Sequence, residues 1–330
     1  MYSSKHAIGI APKVSVIINN FNYSRFLRVA IESALDQSYK NKEVIVVDDG
    51  SMDDSKGIIK SFGNSLIPVF KDNGGQASAI NAGFRVAKGE YIFLLDADDY
   101  WVPKKIDLCM EQFLADEGCG FVQHNMIEVD EDSKEIGLLK KQRLPSGRLD
   151  FNRAFSMNYA LAPTSGSGFK REVFERILDV PEDIFRVRAD YYLQTMAILN
   201  SKLASIDAPL GYYRIHGKNL YSGRLTGDKI KKDMELISSY NIYLKERFGI
   251  KARMHENYYF VRGSLYLGRK SKKLFKPLTD FFMHIPALVR GEVSFKTKVF
   301  RLFVFIAILV NAEFGLDLFN RIVSYYRGRK

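Results

Sequence analysis

Short runs of β-branched and apolar residues, spaced by stretches of helical periodicity, dominate residues 14–116. Val14-Ser15-Val16-Ile17-Ile18 and Glu43-Val44-Ile45-Val46-Val47 are two such runs, and 66–70 and 91–95 are two more. Runs of this length with little polar alternation mark strands buried on both faces. Between the first two, apolar residues fall at 26, 27, 30, 31, 34 and 35, the period of an amphipathic helix. A second helix is expected through Phe62, capped by Asp53 or Asp54. A third is expected over 76–87, closed by Gly89, and a fourth runs from Pro103 to Asp116. Pro68 places the 66–70 strand near a sheet edge. Strand–helix repeats of this length imply a parallel, doubly wound α/β sheet with right-handed crossovers.

The rest of the chain is less regular. Residues 120–129 read as a strand and 130–133 as a turn, 170–178 and 191–199 as helices, 203–206 and 210–215 as strands. From about Asp228 glycine becomes sparse and the pattern helical, which sets a boundary near 226 between a sheet domain (1–226) and a helical region (227–330). Two cysteines, Cys109 and Cys119, exclude a disulfide framework and fit free thiols in a reducing cytoplasm. The net charge of +11 is confined to 251–330, which hold 16 Lys/Arg against 5 Asp/Glu. A neutral body with a basic end argues against nucleic acid as the partner and for a local anionic contact such as a membrane surface. Residues 1–13 hold no apolar stretch of signal-peptide length. The 299–310 run has 12 residues and contains Arg301, short of the ~20 apolar residues of a membrane span.

Open parallel sheets bind ligands at the carboxyl ends of their strands. Acidic residues stand at two such ends: Asp48-Asp49, and the denser Asp96-Ala97-Asp98-Asp99. Asp48-Asp49 alone is as much a turn as a site. Three carboxylates in four residues repel one another unless a proton or cation relieves them. Hard oxygen ligands suit Mg2+ or Mn2+ shared with phosphate oxygens, the alternative being helix N-terminal charge ahead of Pro103. No G-x-G-x-x-G follows the first strand, so a nicotinamide dehydrogenase is poorly supported. The glycine-rich basic loop of a nucleotidyltransferase is missing there too.

Four motifs in order carry a family resemblance. Pro12 to Asn22 followed by Ala30 to Ser38, Val46-Val47-Asp48-Asp49-Gly50-Ser51, Asn73-Gly74-Gly75-Gln76-Ala77-Ser78-Ala79-Ile80-Asn81-Ala82-Gly83, and Lys88-Gly89-Glu90-Tyr91 leading to Asp96-Ala97-Asp98-Asp99 resemble the family-2 glycosyltransferases. A looser likeness continues to about Asn219. The resemblance implies a GT-A type fold, a doubly wound mixed sheet that binds a nucleotide sugar, followed here by a helical C-terminal region. It implies inverting, metal-dependent transfer of a sugar, from a UDP-type donor, to a hydroxyl of a glycan or lipid-linked acceptor. Asn19, Phe21 and Asp48 match nucleobase-pocket positions, and Asn73 and Gln76 the loop that approaches the nucleotide. Asp96 matches the ribose side. Asp98 matches the Mn2+ or Mg2+ ligand, with Asp99 sharing the metal or its water shell. Many members carry Arg where this chain has Ile80.

Arg188-Ala189-Asp190-Tyr191 resembles the family's acidic motif, with Ala189 in place of the first acid, which makes Asp190 the implied general base. From the residues alone Asp190 is better read as a helix N-cap. Thr164-Ser165-Gly166-Ser167-Gly168 stands where the family shapes the acceptor pocket, or is a plain turn. His216, within Tyr213-Arg214-Ile215-His216-Gly217-Lys218-Asn219, resembles a segment whose imidazole completes the metal shell; a packing role is the alternative. Arg214 or Lys218 is placed to meet the diphosphate. Three basic clusters, Arg269 to Lys276, Lys296 to Arg301 and Arg327 to Lys330, flank the apolar run, as in an interfacial helix on anionic lipid or a solvated bundle face. The setting this implies is peripheral attachment to the inner face of a bacterial membrane, in surface polysaccharide synthesis. The competing class is a catalytically silent sugar-nucleotide or glycan-binding subunit; intact Asp98, Asp190 and His216 favour the enzyme.

Overall fold

The computed structural model describes residues 11–139, 143–150, 161–217, 219, 226–251, and 306, 317 and 321. The described chain forms two compact units, the first of which reaches His216 and contains the whole sheet. Its elements begin β1 (Val14–Asn20), α1 (Ser24–Leu35), β2 (Lys42–Asp49), α2 (Ser55–Ser61), β3 (Ile67–Lys71), α3 (Gln76–Val86) and β4 (Tyr91–Asp96). They continue with β5 (Tyr100–Trp101), α4 (Lys105–Ala115), β6 (Cys119–Val129), β7 (Glu135–Leu138), β8 (Ser167–Lys170), α5 (Arg171–Ile177), α6 (Ala189–Asn200) and β9 (Lys202–Arg214).

The sheet has nine strands in the order β3-β2-β1-β4-β8-β6-β9-β5, with β7 paired to β6. The β3-β2-β1-β4 half is parallel, as the apolar runs require, and β3 lies at the edge as Pro68 predicts. The other half is mixed, because β8 runs antiparallel to both β4 and β6. Val14, Val16, Ile17 and Ile18 of β1 are completely buried, each contributing about 1.5–3 kcal/mol of transfer free energy. Central β1 pairs Asn19 with Asp96 and Asn20 with Asp48, so one strand end gathers two acidic motifs. α3 lies close on this centre because Gly83 has no side chain: a Cβ there would come within 2.5 Å of Ile17.

Several local expectations change. Asp48 and Asp49 belong to β2 and pair with Phe70 and Lys71, so the turn starts only at Gly50. Gly89 is not a left-handed cap: α3 ends at Val86 and Ala87 is extended. Glycine is needed at 89 because a Cβ would sit 2.4 Å from the Ser15 nitrogen. The two late strands are one, β9, whose pairing with β6 shifts register around Asn125 to pass Pro209. Asp53 is not a simple cap: its carboxylate accepts from Ser55 N at 3.1 Å and Ser24 N at 2.9 Å, joining the starts of α1 and α2.

In the second unit the described helix is α7 (Gly227–Phe248). Thr226 Oγ1 accepts from Lys229 N, and Gly249, at φ 67°, ends the helix in the left-handed conformation. Among the described residues no helix is long and apolar enough to cross a membrane. The basic clusters, and the 299–310 run apart from Ile306, lie outside the described residues.

Candidate active site

The carboxyl ends of β1, β2 and β4 meet at a set of linked polar side chains. Asn19 Nδ2 donates to Asp96 Oδ1 at 2.8 Å, while Asn19 Oδ1 is buried without a hydrogen-bond partner. Asn20 Nδ2 donates to Asp48 Oδ1 at 2.8 Å, and Ser51 N to Asp48 Oδ2 at 3.2 Å, in a fully buried position. Phe21 follows directly and is 42% exposed, an apolar ring left at the surface beside these buried amides. Asn22 turns the chain at φ 57° and holds Met52 N through its side-chain oxygen.

Asp49 organises the third motif. It accepts from Lys71 Nζ at 2.6 Å, Gly74 N at 2.9 Å, Gly75 N at 2.6 Å and Asn73 Nδ2 at 3.1 Å. Asn73 Oδ1 in turn accepts from Arg186. Gly75, at φ 89°, leaves no room for a Cβ, which would lie 2.3 Å from Arg186 O. That close approach lets Gln76 N donate to Arg186 O at 2.8 Å. Gln76 Nε2 then reaches Asp96 Oδ1 at 3.2 Å and Thr164 Oγ1 at 3.3 Å, and its Oε1 accepts from Ala189 N at 3.0 Å.

The acidic turn is divided in role. Asp98 Oδ2 lies 3.0 Å from His216 Nε2, with both side chains nearly buried. The imidazole is walled by Phe26, ring centroids 5.0 Å apart, and by Tyr23 edge-on at 5.4 Å. Asp99 is 2% exposed, accepting from Ser165 Oγ at 2.6 Å and Arg214 N at 2.9 Å. Ser165 Oγ also accepts from Asp96 N at 3.0 Å, and Trp101 Nε1 donates to Ser165 O at 2.7 Å. Arg214 is buried and committed elsewhere than a diphosphate: its guanidinium donates to Asp98 O, Asp130 O, Glu131 O and Ser133 Oγ, between Phe26 and Tyr100. Lys218 lies outside the described residues.

Electrostatics follow from this crowding. Burial, then the like charge of Asp98 and to a smaller degree Asp190, push Asp96 up to about 7 against the opposing bonds from Asn19 and Gln76. Burial first, then Asp98 and Asp96, hold Asp99 well above the usual carboxylate range. The phenols of Tyr23 and Tyr213 are raised by burial and by the same carboxylates, which places both beside the cluster. Neither tyrosine stands out in the sequence. Tyr23 follows the first motif and Tyr213 precedes His216 by three residues, and proximity to those motifs is the signal that points to them.

Asp190 lies in the first turn of α6, whose N-cap is Arg188 in the left-handed region at φ 62°; the N-cap reading of Asp190 is thereby replaced. Its Oδ1 accepts from Tyr191 N at 2.9 Å. Among the described residues no three His, Cys, Asp or Glu side chains group as a metal site. Asp98 Oδ2 and His216 Nε2 are 3.0 Å apart, within hydrogen-bond distance of one another. A carboxylate and an imidazole together would suit a divalent ion that takes its other oxygens from phosphate and water.

Residues 15–178 match glycosyl transferase family 2. An uncharacterized glycosyltransferase of Nostoc sp. is 33% identical over 253 residues, covering 73% of this chain and 78% of that protein. The UDP-Glc:alpha-D-GlcNAc-diphosphoundecaprenol beta-1,3-glucosyltransferase of Escherichia coli is 46% identical over 95 residues, 28% of this chain and 38% of that one. The crystal structure of S. aureus TarS 1-349 in complex with UDP-GlcNAc superposes with a TM-score of 0.55 at 17% identity, covering 96% of this chain and 91% of that one. The mixed sheet is thus of the GT-A type. With the motif-bearing half matched and the Nostoc relative aligned along most of both chains, this chain is a glycosyltransferase and belongs to glycosyl transferase family 2.

Proposed function

We propose that the chain transfers a sugar, with inversion, from a UDP-type nucleotide sugar to a hydroxyl of a glycan or lipid-linked acceptor in surface polysaccharide synthesis. The observation that carries the reading is the meeting of Asp96, Asp98, His216 and the helix start bearing Asp190 around one strand end. The orphaned Asn19 Oδ1 supports a donor bound at β1, because a buried acceptor without a partner costs about 1–3 kcal/mol until a ligand N–H meets it. The ring of Phe21 offers a face to the base, Asp48 and Asn73 hold the turns around it, and Asp96 meets the ribose. The acceptor class draws support from the Escherichia coli relative, whose acceptor is a GlcNAc-diphospholipid.

Asp98 and His216 would hold Mn2+ or Mg2+, and the nitrogen ligand favours Mn2+. When bound, the cation supplies positive charge to the departing diphosphate. Asp190 takes the proton of the attacking acceptor hydroxyl. Asp99, expected from the resemblance to share the metal or its water shell, is buried with one oxygen accepting from Ser165 Oγ and the other from Arg214 N, and so serves as a positioning residue that ties the Asp98 turn to the strand leading to His216. Residues 227–330 attach the enzyme to anionic membrane. The test is hydrolysis of a panel of UDP- and GDP-sugars by purified protein with Mn2+. A preferred donor with slow, metal-dependent background turnover is expected; no turnover with any donor, whether or not UDP binds, returns the chain to a silent sugar-nucleotide or glycan-binding subunit.

A further inference from the structure

The Gln76 side chain touches three segments that differ in role. A carboxamide has one acceptor oxygen and two N–H donors. Here the oxygen accepts from Ala189 N at 3.0 Å, and Nε2 donates to Asp96 Oδ1 at 3.2 Å and Thr164 Oγ1 at 3.3 Å. The orientation is fixed by the partners: a flipped amide would set its oxygen against a carboxylate and its NH2 against an N–H. Each function of the amide therefore has a protein partner, which leaves little of it for the donor.

The contact at Ala189 matters most. α6 carries Asp190 in its first turn, and its N-cap residue, Arg188, makes no side-chain cap bond. The first amides of a helix need partners from outside the helix. Gln76 supplies one from a different element, and its own backbone N–H, with that of Ala77, is anchored on Arg186 O and Phe185 O. Asp96 and Asp190 are near enough for the charge of one to raise the other. One amide thus bridges the donor-side carboxylate and the helix start that presents the base.

We propose that Gln76 is a positioning residue that holds the Asp190 helix in register with the bound donor; this rests on the reading of Asp190 as general base. Gln76→Met keeps the length and removes every polar contact. The probe is whichever of UDP-glucose, UDP-GlcNAc and GDP-mannose the wild type hydrolyses fastest with Mn2+, water standing in for the acceptor. A small displacement of a base costs about 10- to 100-fold in kcat. The expected result is a kcat loss of that size, with the KM of the donor and the Kd of UDP changed by less than about threefold. On top of Asp190→Asn, Gln76→Met should add less than about twofold, because a base already absent cannot be misplaced. Should the Met variant not fold, Gln76→Ala removes the same three contacts without a side chain to place and is judged by the same split. An impaired Asp190→Asn beside an unimpaired Gln76→Met overturns the positioning role alone. A tenfold rise in KM at constant kcat overturns it by making Gln76 a donor ligand. Wild-type turnover by Asp190→Asn removes the base, and the proposal goes with it.

Discussion

Lys105 opens α4 with its side chain completely buried and no hydrogen-bond partner on Nζ. The ammonium sits 3.5 Å from the ring centroid of Trp101 and 4.0 Å from that of Phe93. Burial lowers its pKa from 10.5 to about 7, a difference of about 5 kcal/mol between charged and neutral forms. A desolvated cation–π contact returns about 2 kcal/mol, and fitting Met into the slot costs about 1. Lys105→Met is therefore expected to stabilise the protein by about 2 kcal/mol at pH 7. The sign follows from proton counting. Between about pH 7 and 10.5 the unfolded lysine holds a proton that the folded one has lost, so wild-type stability rises with pH across that window. The gain from Lys105→Met should then be full near pH 7 and fade towards pH 10. The Cys109 thiol beside it, pushed up to about 11 by burial, stays neutral over most of that range. Urea unfolding followed by fluorescence reports the region directly, because Trp101 is the chain's single tryptophan. A Lys105→Met protein less stable than wild type at pH 7, or a difference flat from pH 7 to 10, refutes the reasoning.

Asp190→Asn should reduce turnover about 100-fold while UDP binding, read by calorimetry, stays within a few-fold of wild type. In Mn2+ titrations with UDP present, Asp98→Ala should nearly abolish metal binding and His216→Ala should weaken it; unchanged affinity in the His216 variant returns that residue to packing. The full chain should bind anionic vesicles more tightly than neutral ones, and added salt should weaken the difference; equal partitioning would sink the electrostatic claim.

The parallel half of the fold is legible in the sequence because its strands are buried on both faces and spell out continuous apolar runs. β8 is not, since its Ser167-Gly168-Phe169-Lys170 sequence has the composition of a turn. Glycine stands at 168 because the Phe93 ring fills the space of its side chain, where a Cβ would lie 2.5 Å from Phe93 Cε1. The same confusion of close packing with turn chemistry misplaces Gly89. Pro209 divides the sequence signal of β9, while the register shift against β6 keeps the strand continuous. Among the candidate residues, motif and spacing single out Asp96, Asp98 and His216, which the fold brings together. The side-chain partners of Asp99 and Gln76 lie 66 and 113 residues away in the chain, Ser165 and Ala189. No local pattern encodes such pairs.

The reach of Arg214 has a practical consequence for labelling. The turn after β6, at residues 130–133, has the polar composition that invites an epitope tag or a fluorophore-bearing cysteine. Yet its carbonyls at Asp130 and Glu131 hold the guanidinium that also grips Asp98 O. An insert there would loosen the acidic turn and report a disabled enzyme. Gly63, whose added Cβ would meet nothing within 4 Å, lies on the short connection between α2 and β3. With its φ of 53° left to a glycine by inserting beside it, that connection is where a probe can be carried without disturbing the chemistry.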